Sequence, residues 1–514
     1  MVDTTSSTFR ESLFNREEFT LTFELVPSRG GRSKEHSRIL SLAQELAVDG
    51  RIQAVSITEN AGGHPALSPG VLGVEIQDMG LNVISHFSCK DKNRNQIESI
   101  LFGWDRKCLH DLLIITGDYP RQGYLGNPKP VFDLDSVHVL DMINRMNNGQ
   151  FDFSSDAVNT IQQTTSFLKG VAVSPFKLLH SELVFQYFKL HRKAAAGADY
   201  IITQLGFDAR KFHEVLIYLQ QNEISLPVLG NVFIPNLPVV ELIYHGKIPG
   251  CIITDELYRC IQKEAASPDK GKKARLTRAA KLLAVLKGLG YDGAHIGGPA
   301  LRFEDIDFVI RESDTYSESW QDLIAQLSYW PASGAYYYEK DAATGLNATA
   351  PTRLPWKGRK HVPLAYDFSK AVHDCFFEPT GSGYNFAQKL CLSLKDKGYD
   401  NALMQVEHFI KILMFSCKNC GDCRIAEFAF LCPQSGCAKY LLNGPCGGSR
   451  DGWCEVYPDR KRCFYVLVYE RLKAHGLIEQ LKSGFQQPRD WSKNNTSSWL
   501  NFFMENPTKS DPAE

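Results

Sequence analysis

Eight short apolar runs recur between residues 20 and 310, and a stretch with helical periodicity separates most neighbours. The runs are TLTFELV (20–26), AVSITE (54–59), LNVISHF (81–87), DLLIITG (111–117), GVAVS (170–174), DYIITQL (199–205), LPVLGNVF (226–233) and GAHIGG (293–298). They lack strict apolar–polar alternation, so they read as strands buried on both faces, as in a parallel sheet. Eight βα units in about 300 residues match the size of a TIM (β/α)8 barrel. An open doubly wound sheet is the competing arrangement. The barrel is favoured by the polar residues where the runs end: Glu24, Glu59, His86, Asp118, Ser174, Gln204 and Asn231. One polar strand end means little. Seven in register suit a barrel, whose strand C-termini all open on one face.

A second feature lies downstream. Between Cys417 and Cys463 stand eight of the chain's 14 cysteines: Cys417, Cys420, Cys423, Cys432, Cys437, Cys446, Cys454 and Cys463. Thiolates so close in sequence converge at little loop-closure cost, and sulfur ligands select zinc or iron–sulfur. The Cys-x2-Cys-x2-Cys opening with a later Cys432-Pro433 is closer to ferredoxin-type ligation than to the separated pairs of a zinc finger. A disulfide knot and buried free thiols are the alternatives. The first residues, MVDTTSSTFRESLF, have no cationic start leading into an apolar core, so they do not read as a secretory signal. A cytosolic chain is expected, and in a reducing cytosol clustered cysteines mean metal or redox chemistry. Whether the metal is a [4Fe-4S] cluster or zinc stays open, as does the division of the eight. The other six (Cys89, Cys108, Cys251, Cys260, Cys375, Cys391) read as small buried apolar fillers.

A chain of 514 residues is too long for one ordinary core. A net charge of -1 offers no basic field for nucleic acid. No run approaches the ~18 apolar residues of a membrane span. The pattern divides the chain into a barrel over 1–320, a linker over 321–362, a smaller cysteine-rich metal-binding α+β domain over 363–485 and a polar tail over 486–514. Asp135 is placed to cap a helix with Val139, Ile143 and Met146 on one face. Residues 181–196 read as a helix with Val184, Tyr187, Phe188 and His191 in one stripe. Lys189, Arg192 and Lys193 lie off that stripe, as a solvated basic face would. Residues 331–362 lose periodicity, with Tyr336 to Tyr338 as possible contacts. Residues 402–414 read as an amphipathic helix with Ala402, Val406, Phe409 and Leu413 on one side. FYVLVYERLKAHG, after Cys463, reads as an apolar segment or helix. The tail from Gln486 reads as poorly ordered, with Trp499, Phe502, Phe503 and Met504 available to dock.

Two motifs carry chemistry. Glu24, in FELVP, is a carboxylate among apolar residues at a strand end. Desolvation there would raise its pKa and prepare a general acid; a helix-capping glutamate is the plain alternative. In TGDYP, Gly117 lets the backbone approach a ligand and Asp118 can accept hydrogen bonds. An ordinary Gly-Asp turn explains the same residues.

Taken together, FELVP, SITEN, HFSCKD, LLIITGDYP with VFDLDSV, and AGADYIITQLGFD resemble methylenetetrahydrofolate reductase, in the same order over about residues 18–310. The CGDC, CP, NGPCGG and GxCE segments resemble the zinc or iron–sulfur module that accompanies certain bacterial reductases of this family. The resemblance implies flavin-dependent reduction of 5,10-methylenetetrahydrofolate to 5-methyltetrahydrofolate in one-carbon metabolism, on the path to methionine. It implies FAD or FMN as cofactor and an oligomer or complex. The electron donor would be NAD(P)H, ferredoxin or another iron–sulfur protein. Glu24 stands at the acidic catalytic position. Asp118 stands at the position that binds the pterin near the flavin and favours the cationic iminium. Gln204 matches the glutamine on folate; Thr58, His86, Gly117 and Asp118 match flavin positions; Arg192 and Lys193 match the basic pair near the flavin phosphate. The chain departs from the family at Leu205-Gly206-Phe207, Ser174 and Lys189. It has no convincing GxGxxG fingerprint, which excludes nothing where nicotinamide stacks on the flavin. The cysteine module would relay electrons or dock a redox partner. The alternative function is a non-catalytic folate-binding or scaffold subunit with a structural zinc module.

Overall fold

A computed structural model describes residues 7–150, 164–352 and 364–506. The last part of the expected linker, 353–362, and of the tail, 507–514, lie outside the described residues. All eight runs are strands: β1 Thr20–Leu25, β2 Ala54–Ile57, β3 Asn82–Ser88, β4 Asp111–Ile115, β5 Leu168–Val173, β6 Tyr200–Thr203, β7 Val228–Phe233 and β8 Gly293–Gly297. They form one closed parallel barrel in sequence order. Closure comes from β1 pairing with β8, with Thr20 opposite Gly293 and Phe23 opposite Ile296. That pairing leaves no room for the open doubly wound sheet.

The strands are apolar on both faces for different reasons. Phe23, Leu25, Val55, Ile57, Ile114, Val171, Val173, Ile201, Val232 and Ile296 join the main core. The alternate residues Ala54, Ile84, Leu113, Leu168, Tyr200, Ile202 and Leu229 form a separate cluster inside the barrel. Phe9 and Leu13, from the helix Ser7–Phe14, belong to the same cluster and close it from below. Phe9 meets Tyr200 edge-on, with ring centroids 5.9 Å apart. Full burial of each such side chain contributes about 1.5–3 kcal/mol. Further along the strands the alternate positions turn polar: Glu24, Ser56, His86, Ser174, Asn231 and His295. This gradient gives the barrel an apolar floor and a polar mouth.

The helix His180–Ala195 is buried on nearly every side rather than along one stripe. Tyr187 stacks on Tyr218 with centroids 4.3 Å apart, on the barrel side. Val184, Phe185 and Phe188 join a second core with Phe428, Leu442, Phe464, Tyr465, Val468 and Tyr469. Lys189, Arg192 and Lys193 are only 4, 6 and 6% exposed, so the expected solvated basic face is incorrect. The cysteine module is the second layer that covers it. A helix with apolar residues all round needs two such layers.

The C-terminal region is helical: Leu364–Phe376, Tyr384–Asp396, Asp400–Phe415, Phe464–Ala474 and Ser498–Glu505. Its β contacts among the described residues are bridges, Arg450 with Trp453 and Trp453 with Arg462. In Asp400–Phe415 the apolar side faces outward, with Val406, Phe409 and Leu413 57, 67 and 73% exposed. The buried side carries Glu407 and Lys411, paired at 2.8 Å, with Ser497 and Ser498 bonded to the same carboxylate. Phe503 and Leu500 of the last helix pack with Tyr384 and Cys391, so the expected docking patch is ordered. Within 331–352, Tyr338–Lys340 pairs antiparallel with Asn347–Pro351. The ribbon packs on the barrel, where the Tyr337 amide donates to Glu214 at 2.6 Å and Arg210 lies 3.6 Å over the Tyr336 ring.

Candidate functional site

The mouth is built from strand ends. Glu24, near the end of β1, lies 3.8 Å from His295 Nε2 on β8. His295 is held from below, with Nδ1 2.8 Å from Thr22 Oγ1 and Nε2 3.3 Å from Ser56 Oγ. Among the described residues, Glu24, His86 and His295 form the one group of three metal-type donors within 4.8 Å of one another. Burial alone would raise the Glu24 carboxyl, as the sequence suggested. His295 and His86 outweigh burial and hold it below its ordinary value. Burial pushes His86 down to about 4, so its ring is neutral near pH 7. Its Nε2 has no hydrogen-bond partner among the described residues, nor do Thr58 Oγ1, Ser88 Oγ, Ser174 Oγ and Asn231 Oδ1. Buried polar atoms normally find partners. Unpartnered atoms at the ends of β2, β3, β5 and β7 therefore leave a cradle of polar groups free to meet a ligand.

Asp118 follows β4, and its Oδ2 accepts from the Gly62 amide at 2.7 Å. Burial pushes this carboxyl up, against the opposing charge of Lys439. Gly117 has φ +84°, and a Cβ there would lie 2.9 Å from Ser88 Cβ, so this position requires glycine. The Gln204 carbonyl oxygen turns back to the Leu205 amide at 2.9 Å.

The cysteine module roofs this mouth. Lys189 donates to the Pro445 carbonyl at 3.0 Å, and Lys177 to the carbonyls of Gly447 and, at 3.0 Å, Ser449. Asp135 caps the helix Ser136–Asn147 with one oxygen. Its other oxygen accepts from the Asn443 amide at 2.8 Å and the Leu442 amide at 3.1 Å. The Gly452 amide donates to Glu182 at 3.0 Å. Arg192 reaches the Ser483 carbonyl at 3.4 Å and leaves Nε unpartnered; Lys193 donates to the Ala172 carbonyl at 2.6 Å. Burial pushes Lys193 down to about 7.

The eight cysteines fall into two fours. Cys417, Cys420, Cys423 and Cys432 line one cavity with Glu407, Lys411 and Arg489. Cys437, Cys446, Cys454 and Cys463 line another with Lys439, Glu455 and Tyr465. All eight thiols are free, so no disulfide knot is formed. Of the six scattered cysteines, Cys89, Cys251 and Cys391 are buried as fillers, whereas Cys108 is exposed and Cys260 and Cys375 are half-buried.

Glu24, Thr58, His86, Gly117, Asp118 and Gln204 thus occupy strand ends on one face of the barrel, while Arg192 reaches out to Ser483 and Lys193 turns to Ala172 of β5. Two participants were missed from sequence. His295 had a signal: it shares the strand parity of Thr22, Ser56 and His86. Lys439, whose ammonium donates to the Gly117 carbonyl at 2.7 Å, had none.

Residues 9–296, more than half of the chain, match a family model described as "Methylenetetrahydrofolate reductase". Residues 397–492, which include all eight clustered cysteines, match one described as "Methylene-tetrahydrofolate reductase C terminal". Methylenetetrahydrofolate reductase 1 of Schizosaccharomyces pombe is 23% identical over 221 residues, 42% of this chain and 33% of the relative. Methylenetetrahydrofolate reductase 2 of Saccharomyces cerevisiae is 24% identical over 187 residues, 35% of this chain and 28% of the relative. The matched part therefore spans about a third of these curated relatives' length. A solved structure of an uncharacterized protein from Clostridium thermocellum that binds two copies of 5-methyl-5,6,7,8-tetrahydrofolic acid aligns with a TM-score of 0.42 and 14% identity, covering 61% of this chain and 99% of that one.

Proposed function

The chain belongs to the methylenetetrahydrofolate reductase family, and from that premise we propose that it reduces 5,10-methylenetetrahydrofolate to 5-methyltetrahydrofolate at the barrel mouth. The observation that carries this reading is the meeting of Glu24 and His295, 3.8 Å apart, with the half-buried carboxylate of Asp118 and a cradle of unpartnered polar atoms. A proton taken up at Glu24 would be delivered to the ring nitrogen that leaves as the imidazolidine opens. The C–N bond electrons stay on that nitrogen, and the other nitrogen forms an iminium. Asp118 places negative charge beside that cation in a site of low dielectric. Gln204 is in place to hydrogen-bond the pterin once its side chain releases the Leu205 amide.

A flavin ring bound in the mouth would be held by Thr58, His86 and the backbone at Gly117, where the first two leave polar atoms unpartnered. Each group of four cysteines supplies thiolates enough for one iron–sulfur cluster or one zinc ion, and the Cys-x2-Cys-x2-Cys opening with Cys432-Pro433 supports the cluster. When bound, a flavin supplies the hydride, and iron–sulfur clusters supply electrons drawn from a nicotinamide, a ferredoxin or another iron–sulfur protein.

Protein purified without oxygen tests this. The expected result is flavin absorbance, about four iron and four acid-labile sulfide per cysteine site, and methylenetetrahydrofolate reduction with a dye donor. Zinc without sulfide would remove the relay. One observation favours a second reading: Arg192 and Lys193, expected at the flavin phosphate, donate to backbone carbonyls instead. A non-catalytic folate-binding or scaffold subunit with structural zinc would show no flavin absorbance, and none after adding FAD or FMN.

A further inference from the structure

Lys439 stands two residues after Cys437, yet its side chain reaches into the barrel's mouth. Its ammonium group donates to the Gly117 carbonyl at 2.7 Å and pairs with Glu455. The side chains of this pair are 4 and 5% exposed. Asp118 feels both of their charges, and both side chains line the same cavity as Cys437, Cys446, Cys454 and Cys463. One buried cation thus touches both halves of the protein, the carbonyl beside the barrel carboxylate and the Cys437–Cys463 site. Gly117 has little freedom of its own, since Ser88 and Lys90 crowd the side where a Cβ would stand. Its carbonyl direction is therefore set by crowding on one side and by Lys439 on the other. Without Lys439, the Glu455 and Asp118 carboxylates would repel, with the weaker influence of Lys90 on Asp118 left to oppose it, in a setting where water screens little.

We propose that Lys439 is a positioning residue supplied by the cysteine module to the folate site: it orients the Gly117 carbonyl and Asp118 and couples folate affinity to the charge on the Cys437–Cys463 site. This rests on the folate-binding reading above. Coupling of this kind is reciprocal, so folate must shift the reduction equilibrium of that site by the factor by which reduction shifts folate affinity.

The test uses the full chain, metal-loaded without oxygen, with methyltetrahydrofolate as the probe. Equilibrium titration gives its affinity, and spectroscopic redox titration gives the midpoint potential of the Cys437–Cys463 site with and without it. K439M should bind about tenfold more weakly, which is about 1.4 kcal/mol, and lose the folate-induced shift in potential. K439R should restore both, which a merely structural lysine would not require. K439M leaves Glu455 buried and unpaired, so K439M/E455Q keeps the test open if the single variant fails to fold; it too should bind about tenfold more weakly. Wild-type affinity in a folded K439M or in the double variant, or a retained potential shift, overturns the inference alone. Wild-type protein that binds no methyltetrahydrofolate overturns the folate-binding reading and this inference with it.

Discussion

Replacing Asp135 with asparagine should loosen the cysteine module from the barrel while leaving the barrel folded. The Asp135 carboxylate has two jobs. Oδ1 accepts from the Val137 amide at 2.9 Å and the His138 amide at 3.2 Å, capping a helix. Oδ2 accepts from the Leu442 amide at 3.1 Å, the Asn443 amide at 2.8 Å and Asn443 Nδ2 at 3.2 Å. Asparagine has one acceptor oxygen and is a good N-cap. That oxygen would stay with the helix and turn an NH2 toward the three module donors. Asn443 Nδ2 keeps the Gln486 carbonyl as acceptor, so the two backbone amides are left unsatisfied, at about 1–3 kcal/mol each. Some relaxation is available, so the loss should be on the order of 3 kcal/mol. Urea unfolding of metal-loaded protein measures it, and a cycle with N443A isolates the seam. The pH dependence follows from the same carboxylate. Burial opposes its charge, but His138, Lys189 and the Asn443 amide hold the carboxyl well below the usual range. Its stabilisation is therefore present above the unfolded value near 3.9 and is lost as pH falls toward the folded value. Wild type should lose stability below about pH 4, and D135N should lose less over the same window. A D135N cost under about 1 kcal/mol, or no coupling to N443A, would refute this account of the seam.

E24Q should keep flavin absorbance and slow methylenetetrahydrofolate turnover by about 10²-fold or more, as expected for loss of the carboxylate that the proposed proton transfer uses; unchanged kcat removes Glu24 from that step. C420S should remove metal from the Cys417–Cys432 site and spare the other, while C446S should do the reverse. Iron content falling by half in each separate variant checks the division, and complete loss in either refutes two independent sites. If reduction by an artificial dye survives in C420S while activity with a physiological donor vanishes, the Cys417–Cys432 site is where electrons enter. G117A should weaken methyltetrahydrofolate binding about tenfold or more, since its Cβ would lie 2.9 Å from Ser88 Cβ at a φ of +84°; wild-type affinity would show that the loop yields freely.

Much of the barrel was legible because its signals are local. A strand is a run of a few residues, and its polar end lies within the same window, so Glu24, His86, Asp118 and Gln204 could be picked out before any contact was known. The Asp135 cap was legible for the same reason, since cap and capped amides lie within three residues. His295 was within reach by strand parity. The helix Asp400–Phe415 was found, but which side is buried was not: the Glu407–Lys411 pair faces inward while Val406, Phe409 and Leu413 face out. Periodicity reports that a helix has two sides, and only its neighbours decide which one they cover.

Sequence alone determined the eight-fold βα alternation, the polar strand ends and the crowding of eight thiols, because each rests on spacing along the chain. Tertiary structure decided that the thiols divide into two fours and that the module lies over the mouth. It also buried Lys189, Arg192 and Lys193 and brought Lys439 to Gly117, 322 residues away in sequence. Contacts between residues so far apart leave no periodic trace; they arise when two cores share the helix His180–Ala195, whose two sides face different partners.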